Sequence, residues 1–282
     1  GVGAVEDTTT GTHLTGVGFK ALHQNTTGSY NVALGHSALE ANTTADRNSA
    51  IGYQSLYANT TGFRNTAVGY IALQDNTTGN RNVAVGEQAL ANNTTASDNT
   101  AVGEAAMASN TTGANNTAVG SDAGLSVTTG DRNVLLGYAS GDALTDADDN
   151  VAVGTFALSA DTLGSRSVAI GKEALATQNF TSATNAYNTA VGAFAGNAVT
   201  TGINNTLIGG LAGDAITTAN NNTAIGYNAL TANTTGTRNT AVGVDALKSV
   251  TTGSYSTAVG YQALENNTGN NNTAVGDQAL EA

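Results

Sequence analysis

A glycine that follows an aliphatic residue returns every 17 residues along most of the chain, and this spacing constrains the fold more than any other feature. It falls at the end of strings such as NTAVG, first at Gly18 and then at every interval of 17 up to Gly171. The series resumes at Gly192 after a four-residue insertion and ends at Gly276 after a one-residue deletion. We call this glycine phase 0 and number each repeat forward from it. Self-similarity at a short fixed period predicts a solenoid in which each repeat forms one turn.

The consensus repeat is G-x-x-A-L-x-x-N-T-T-G-x-x-N-T-A-V, and it predicts two short strands per turn. Residues at phases +14 and +16, such as Thr66 and Val68, lie two positions apart and would share one face of a strand. A second apolar pair, Ala-Leu at phases +3 and +4, follows the glycine, as at Ala72 and Leu73. The NTTG string and the phase-0 glycine supply turn residues between these segments.

Composition excludes a helical repeat and favours a coil of stacked strands. Seventeen residues are too few for a helical hairpin, and the 35 glycines, together with many Asn and Thr, oppose helix. Strands on successive turns would pair in parallel at about 4.8 Å. We therefore predict an all-β parallel β-solenoid, or β-roll, of about sixteen 17-residue turns. Residues 1–282 would form a single continuous repeat domain, with the four-residue insertion within 172–191.

The consensus also predicts which positions build the interior and the contacts between turns. Alanine at phase +15 would give a flat face on which a neighbouring chain can approach closely. Asparagine at phase +13 would stack into a hydrogen-bonded ladder along the solenoid. The predicted core and repeat positions are Val68, Gly69, Leu73, Val85, Gly86, Leu90, Ile170, Gly171, Val242 and Gly243.

Four turns exchange their apolar side chains in a correlated way, which indicates a defined interior. Leucine at phase +4 becomes glycine while phase +7 becomes apolar, as with Gly196 and Val199. We interpret this as one core slot filled from either position, where glycine removes the side chain that would collide. The four pairs are Gly124 with Val127, Gly141 with Leu144, Gly196 with Val199, and Gly213 with Ile216.

Three strings resemble the head repeat of trimeric autotransporter adhesins, known as the YadA-like head. They are SVAIG at Ser167–Gly171, NVAVG at Asn82–Gly86 and NSAIG at Asn48–Gly52. The resemblance extends over essentially the whole chain, and similar repeats occur in phage tail fibres. The resemblance implies a left-handed β-roll, and three such rolls would associate side by side into a homotrimer. It also implies a location outside the cell, on a cell surface or in a virion fibre.

Charge and hydropathy restrict the partners. The net charge of −12, from 21 acidic and 9 basic residues, disfavours nucleic acid because phosphate contacts need clustered Lys or Arg. No stretch approaches the roughly 18 apolar residues of a membrane span, so we expect no membrane insertion. A narrow roll without cysteine is marginal on its own, which favours other copies of the chain as partners, in a homotrimer or end to end. The surface ligand or host receptor is left open.

Catalytic constellations are absent from the sequence. The three histidines are His13, His23 and His36, of which His23 and His36 fall at different phases of the repeat. Ser and Thr are abundant but have no accompanying His–Asp arrangement. We expect no enzyme activity and no cofactor.

One acidic cluster is a candidate calcium site. Asp142, Asp146, Asp148 and Asp149 place several oxygen ligands close together on a turn, as Ca²⁺ requires. Their spacing differs from that of known calcium loops, and solvated corner charges explain the cluster equally well.

The insertion is a candidate binding loop. The segment from Gln178 to Tyr187 carries Phe180 and Tyr187, two aromatics in an aromatic-poor chain, and exposed loops often hold recognition residues. The alternative is a structural decoration in which Phe180 seals against the roll.

The NTT corners suggest two further properties, N-linked glycosylation and ice binding. Asn25-Thr26-Thr27 and its equivalents satisfy the pattern for N-linked glycosylation. Stacked Thr pairs would also make a regular array of hydroxyl and methyl groups, as an ice-binding solenoid needs.

These observations predict a structural and adhesive extracellular fibre segment that mediates surface attachment. An ice- or glycan-binding solenoid and a phage tail-fibre shaft are the alternatives.

Overall fold

A computed structural model describes residues 1–281, and the chain divides into two compact units, Gly1–Tyr138 and Ala139–Ala282. Each unit is a parallel β-solenoid without helix among the described residues, and the two contain about fifteen turns of about 17 residues. The all-β solenoid predicted from the repeat is confirmed. The single continuous repeat domain over 1–282 stays a prediction.

The first unit contains one three-residue strand per turn. Each strand pairs in parallel with the next at a shift of 17 residues, so that Thr66 lies opposite Val83 and Ala67 opposite Ala84. The strands are β1 (Thr15–Val17), β2 (Val32–Leu34), β3 (Ser49–Ile51), β4 (Thr66–Val68), β5 (Val83–Val85), β6 (Thr100–Val102), β7 (Thr117–Val119) and β8 (Val134–Leu136).

The second unit repeats this pattern and absorbs both breaks in the register. Val168 pairs with Thr189 across the insertion, and Thr257 pairs with Thr273 across the deletion. A separate two-stranded pair forms at the insertion, between Gly164–Ser165 and Thr184–Asn185. The strands are β9 (Val151–Val153), β10 (Gly164–Ser165), β11 (Val168–Ile170), β12 (Thr184–Asn185), β13 (Thr189–Val191), β14 (Thr206–Ile208), β15 (Thr223–Ile225), β16 (Thr240–Val242), β17 (Thr257–Val259) and β18 (Thr273–Val275).

The interior is built from the middle residue of each strand and from the leucine at phase +4. Ala67, Leu73, Ala84 and Leu90 are all fully buried, so Leu73 and Leu90 are core residues as predicted. The alanine at phase +15 therefore lies inside, and the prediction that it forms an outer face is wrong. The leucine reaches across the narrow roll from the corner and leaves room for only a methyl group at the strand centre.

The aliphatic residue at phase +16 points outward rather than into the core. Val68, Val85 and Val242 are half-buried and Ile170 is exposed, so their assignment as core residues is wrong. The cause is the same: the middle residue of a three-residue strand takes the inner face, and both of its neighbours must take the outer one.

The Ala-Leu segment is a series of bends rather than the second strand predicted from the sequence. Gly69, Ile71 and Leu73 have φ angles of 139°, 48° and 54°, in the left-handed half of the Ramachandran plot. This bending lets the adjacent residues Ala72 and Leu73 both point inward. The backbone still bonds to the next turn, because the Leu73 N–H donates to the Ala89 carbonyl oxygen at 2.9 Å.

In the turns with glycine at phase +4, the space of the missing leucine is occupied by apolar side chains from phase +7 and also from phase +15 of the strand. The contribution from phase +15 was not predicted from the sequence. A Cβ added at Gly196 would lie 2.7 Å from Leu207 Cδ1 and 3.3 Å from Val199 Cγ2. At Gly124 the nearest atom would be Leu135 Cδ1, also at 2.7 Å. Leu135 and Leu207 replace the usual alanine at phase +15, so the slot is filled chiefly from the strand.

Two ladders of buried asparagines connect the turns. In the ladder predicted at phase +13, the Asn65 N–H donates to Asn48 Oδ1 at 2.9 Å. A second ladder, which the sequence did not reveal, runs at phase +7, where Asn76 Nδ2 donates to Asn59 Oδ1 at 2.9 Å. Asn110 ends this second ladder, and its buried Oδ1 has no partner among the described residues. In the next turn, Val127 occupies the place of the asparagine that would donate to it.

Candidate functional site

No pocket opens among residues 1–281, so the candidate functional site is an exposed surface rather than a cleft. Side chains at three sets of phases in the repeat make up this surface.

The first and third residues of each three-residue strand form an uncharged strip on each unit, which we call the outer stripe. The first residues are Thr, Val or Ser, and the third are Val, Ile or Leu. Leu34 is 46% exposed and Ile225 is 38% exposed, so apolar side chains of this strip meet solvent. In-register pairing places equivalent residues above one another, as with Thr223 and Thr240. The outer stripe is therefore a regular apolar surface with interspersed hydroxyl groups.

An aromatic ladder borders the outer stripe in the first unit, at phase +1. Phe19, His36, Tyr53 and Tyr70 lie in consecutive turns, with ring centroids 5.0, 5.3 and 5.4 Å apart. All four are exposed. Because the rings face one another, the ladder presents ring edges and tyrosine hydroxyls to solvent.

An arginine column borders the other side of the outer stripe, at phase +12. All six arginines of the chain occupy this phase, namely Arg47, Arg64, Arg81, Arg132, Arg166 and Arg238. Arg81 and Asp98, one turn apart, make a bidentate pair at 2.6 Å, whose hydrogen bonds lower the pKa of Asp98. This column could have been predicted from the sequence alone, because every arginine falls at the same phase of the repeat.

The NTT corners are less available than their sequence indicates. Asn25, Asn42 and Asn59 are fully buried, and the Nδ2 atom of each donates within the phase +7 ladder or to backbone. These three acceptor asparagines are therefore inaccessible once the roll has folded. The first threonine of the pair is also engaged, since Thr26 Oγ1 donates to the Thr43 carbonyl oxygen at 2.9 Å. The second threonine, such as Thr27, is exposed.

The structure separates the two aromatic residues of the insertion. Phe180 is 6% exposed, and its Cδ2 lies 2.7 Å from the position that a Cβ on Gly164 would take. Phe180 therefore packs the inserted loop against the roll. Tyr187 is 52% exposed and stands in the arginine column, where its hydroxyl oxygen accepts from Arg166 Nη1 at 2.9 Å. The structure does not bring Phe180 and Tyr187 together in one binding loop.

A buried carboxylate lies beneath this insertion. Asp161 occupies the phase of the second asparagine ladder and accepts hydrogen bonds from the Gly164 N–H, the Phe180 N–H and Gln178 Nε2. Burial raises the pKa of Asp161, and these hydrogen bonds oppose the shift only in part.

Replacing this carboxylate is expected to change how stability depends on pH. The pKa of Asp161 in the folded state lies above 3.8, the ordinary value for an aspartate. Its contribution to the free energy of unfolding is therefore fully present below pH 3.8 and is lost as pH rises through the folded-state pKa. Asp161→Asn removes the titrating group, and urea unfolding across this pH range should show a smaller loss of stability than in the unmodified chain. Asp75→Asn, at an exposed position, controls for the change in charge. An Asp161→Asn variant with unaltered pH dependence would contradict the prediction.

Within the described residues, the acidic cluster and the histidines do not come together as a metal site. Asp146 is exposed, and Asp149 Oδ2 lies 3.7 Å from Arg166 Nε. Across residues 1–281, no three or more His, Asp or Glu side chains are arranged to hold a metal ion. The calcium hypothesis for Asp142, Asp146, Asp148 and Asp149 therefore rests on the sequence alone.

The three histidines have different neighbours. His13 stacks on Tyr30 with ring centroids 4.6 Å apart, and His36 belongs to the aromatic ladder. His23 Nδ1 lies 3.1 Å from the Gly3 carbonyl oxygen. His13 Nδ1 also lies 3.0 Å from Oγ1 of the adjacent Thr12.

The described part of the chain holds no helix with the length and hydropathy needed to cross a membrane. No protein-family model matches the chain, and no curated protein matches it either.

Proposed function

We propose that the chain is a segment of a structural and adhesive extracellular fibre that assembles with copies of itself and mediates surface attachment. The observation that carries this proposal is the outer stripe, which keeps uncharged residues at both outward positions of every three-residue strand. Continuous exposed apolar surface is typical of an interaction site. A roll used alone in water would gain solubility from charges at these positions.

The proposed assembly is a homotrimer of left-handed rolls with the outer stripes turned toward a common axis. Three residues of strand make a stripe only about 10 Å wide, so a small number of rolls can cover one another's stripes. The resemblance to YadA-like heads supports the number three and the hand. End-to-end association of such trimers would extend the fibre.

The remaining assignments follow from this proposal. The fibre is an extracellular, cell-surface or virion component without catalytic activity or cofactor, and its partners are other copies of the chain and a surface ligand. It neither binds nucleic acid nor inserts into a membrane. Side chains repeated once per turn would give many weak contacts at once, which together bind strongly.

A charge placed in the outer stripe is expected to prevent assembly. Ile225→Arg puts a cation at the centre of the apolar surface of the second unit, where burying it against another copy is costly. We expect the unmodified chain to have a native mass three times 27.9 kDa and the variant to have the mass of a single chain. Sedimentation or light scattering measures both, and an electron micrograph shows the fibre.

Asn221→Arg is the matched control, because it adds the same charge four residues away in the arginine column. Asn221 has a φ angle of 60°, a conformation that arginine itself adopts at Arg238 in the next turn. This variant should retain the native mass. A single-chain mass for the unmodified protein, or full assembly of Ile225→Arg, would contradict the proposal.

Ice binding is the second candidate function, and the exposed row of second threonines favours it. Thr27, Thr44 and Thr61 project from equivalent positions in consecutive turns. A thermal-hysteresis assay separates this function from the fibre, because an assembling fibre segment without ice affinity leaves the freezing point unaltered.

A further inference from the structure

The arginine column contains one feature that the fold does not explain. Arg47, Arg64 and Arg81 occupy consecutive turns, so their positive charges repeat at the turn spacing of about 4.8 Å. Elsewhere in the column, neighbours are complementary, as with Arg81 and Asp98 or Arg238 and Tyr255. Like charges held this close together repel one another.

The first two arginines of this row are available for a ligand. Neither Arg47 nor Arg64 has a carboxylate within salt-bridge distance among residues 1–281. The Arg47 guanidinium lies 5.9 Å from the centroid of the Tyr30 ring, and that of Arg64 lies 5.7 Å from the Phe63 ring. Contact with an aromatic ring restricts the guanidinium without using its N–H donors.

We propose that Arg47, Arg64 and Arg81 form a binding site for an acidic polysaccharide that lies along the column. A guanidinium donates two parallel hydrogen bonds to a carboxylate or sulfate, as Arg47 and Arg64 can. Arg81 gives its Nε and Nη2 donors to Asp98, so it would contribute Nη1 to the same row. Such a row matches a polymer that repeats its acidic groups. This inference names the ligand class of the attachment surface, and in that respect it rests on the proposed function.

Nucleic acid fits this surface less well. Proteins that bind single strands offer free aromatic faces on which bases stack. In this column, Tyr30 stacks against His13 on one side and contacts the Arg47 guanidinium, so its ring is already engaged.

A variant that removes the central charge without disturbing the fold is available. Arg64 has a φ angle of 57°, and asparagine occupies the same phase at Asn115, Asn204 and Asn221 with angles of 61°, 58° and 60°. Arg64→Asn therefore replaces one natural occupant of this position by another. Arg238→Asn makes the same chemical change at an arginine whose neighbours in the column are Asn221 and Tyr255.

The experiment measures equilibrium binding of heparin, polygalacturonate and neutral dextran to the assembled protein at several salt concentrations. We expect the unmodified protein to bind both acidic polymers and not dextran. Arg64→Asn should weaken binding about tenfold or more, as expected for the loss of hydrogen bonds to a charged group. It should also reduce the slope of log affinity against log salt by about one. Arg238→Asn should leave both quantities close to those of the unmodified protein.

Three results would overturn the inference. They are absence of binding to both acidic polymers, equal weakening by Arg64→Asn and Arg238→Asn, and tighter binding of an oligothymidylate than of either polysaccharide. The native mass of the same samples keeps the two proposals apart. Arg64-dependent binding by a single chain removes the assembly alone, whereas a fibre of the expected mass that binds neither polymer removes this inference alone.

Discussion

Gly209→Ala is expected to lower the free energy of unfolding by more than about 3 kcal/mol, whereas the adjacent Gly210→Ala is expected to be tolerated. Gly209 stands at phase 0 with a φ angle of 132°, in a region that residues with a side chain rarely adopt. A Cβ added there would also lie 2.6 Å from the carbonyl carbon of Gly226 in the next turn and would collide with its oxygen. Backbone strain and a backbone collision therefore add.

Gly210 lacks both constraints. The nearest atom to an added Cβ would be Tyr227 Cδ2 at 3.5 Å, an ordinary van der Waals contact, and its φ angle is not in the left-handed region. Alanine at such a position restricts the unfolded chain, so we expect a change between zero and a gain of about 1 kcal/mol. Urea unfolding of the two variants at equal protein concentration measures the difference. Similar stabilities for the two variants would contradict the argument.

The glycine pair illustrates what the repeat could and could not predict. The period of 17 predicted one turn per repeat, and the breaks after Gly171 and before Gly276 predicted where the register shifts. The sequence also indicated that the phase-0 glycine is a turn residue. Its close approach to the same glycine one turn away depends on contacts between turns, which local propensity does not describe.

The inner and outer faces of the strand were assigned incorrectly for a related reason. Alternation shows that Thr66 and Val68 share a face but not which face is buried, and hydropathy alone favours burying valine rather than Ala67. The interior volume decides the outcome, because Leu73 already fills the space opposite the strand. The outer stripe, on which the proposed assembly depends, follows only from the structure, in which alanine faces the interior and the aliphatic residues at phase +16 face outward.

The asparagines at phase +7 show a second limit of sequence reasoning. In a single repeat, Asn59-Thr60-Thr61 has the composition of an exposed turn and matches a glycosylation pattern. Stacking of equivalent residues gives Asn59 two partners that no single repeat contains, Asn42 and Asn76. Burial of a polar side chain becomes favourable once these partners are present, so the ladder is a property of the stack.

Leu207→Ala is expected to lower the free energy of unfolding by about 2–5 kcal/mol, the usual cost of truncating a buried leucine. Leu207 is fully buried, and its Cδ1 and Cδ2 atoms lie 2.7 Å from the positions that Cβ atoms on Gly196 and Gly213 would take. The leucine thus fills the corners of two successive turns.

Gly196→Leu should be strongly destabilising alone and much less so in the Leu207→Ala background. The φ angle of 59° at Gly196 is not the obstacle, because Leu175 adopts 51° at the same phase. The nearest obstacle is Leu207, and its removal should reduce the cost of Gly196→Leu by at least about 1 kcal/mol. Leu175 Cδ2 at 3.0 Å and Val199 Cγ2 at 3.3 Å from the added Cβ prevent full recovery. Combining Gly196→Leu with Leu264→Ala, four turns or about 19 Å away, should instead give additive effects. Additivity in both double variants would show that the corner and the strand do not share one slot.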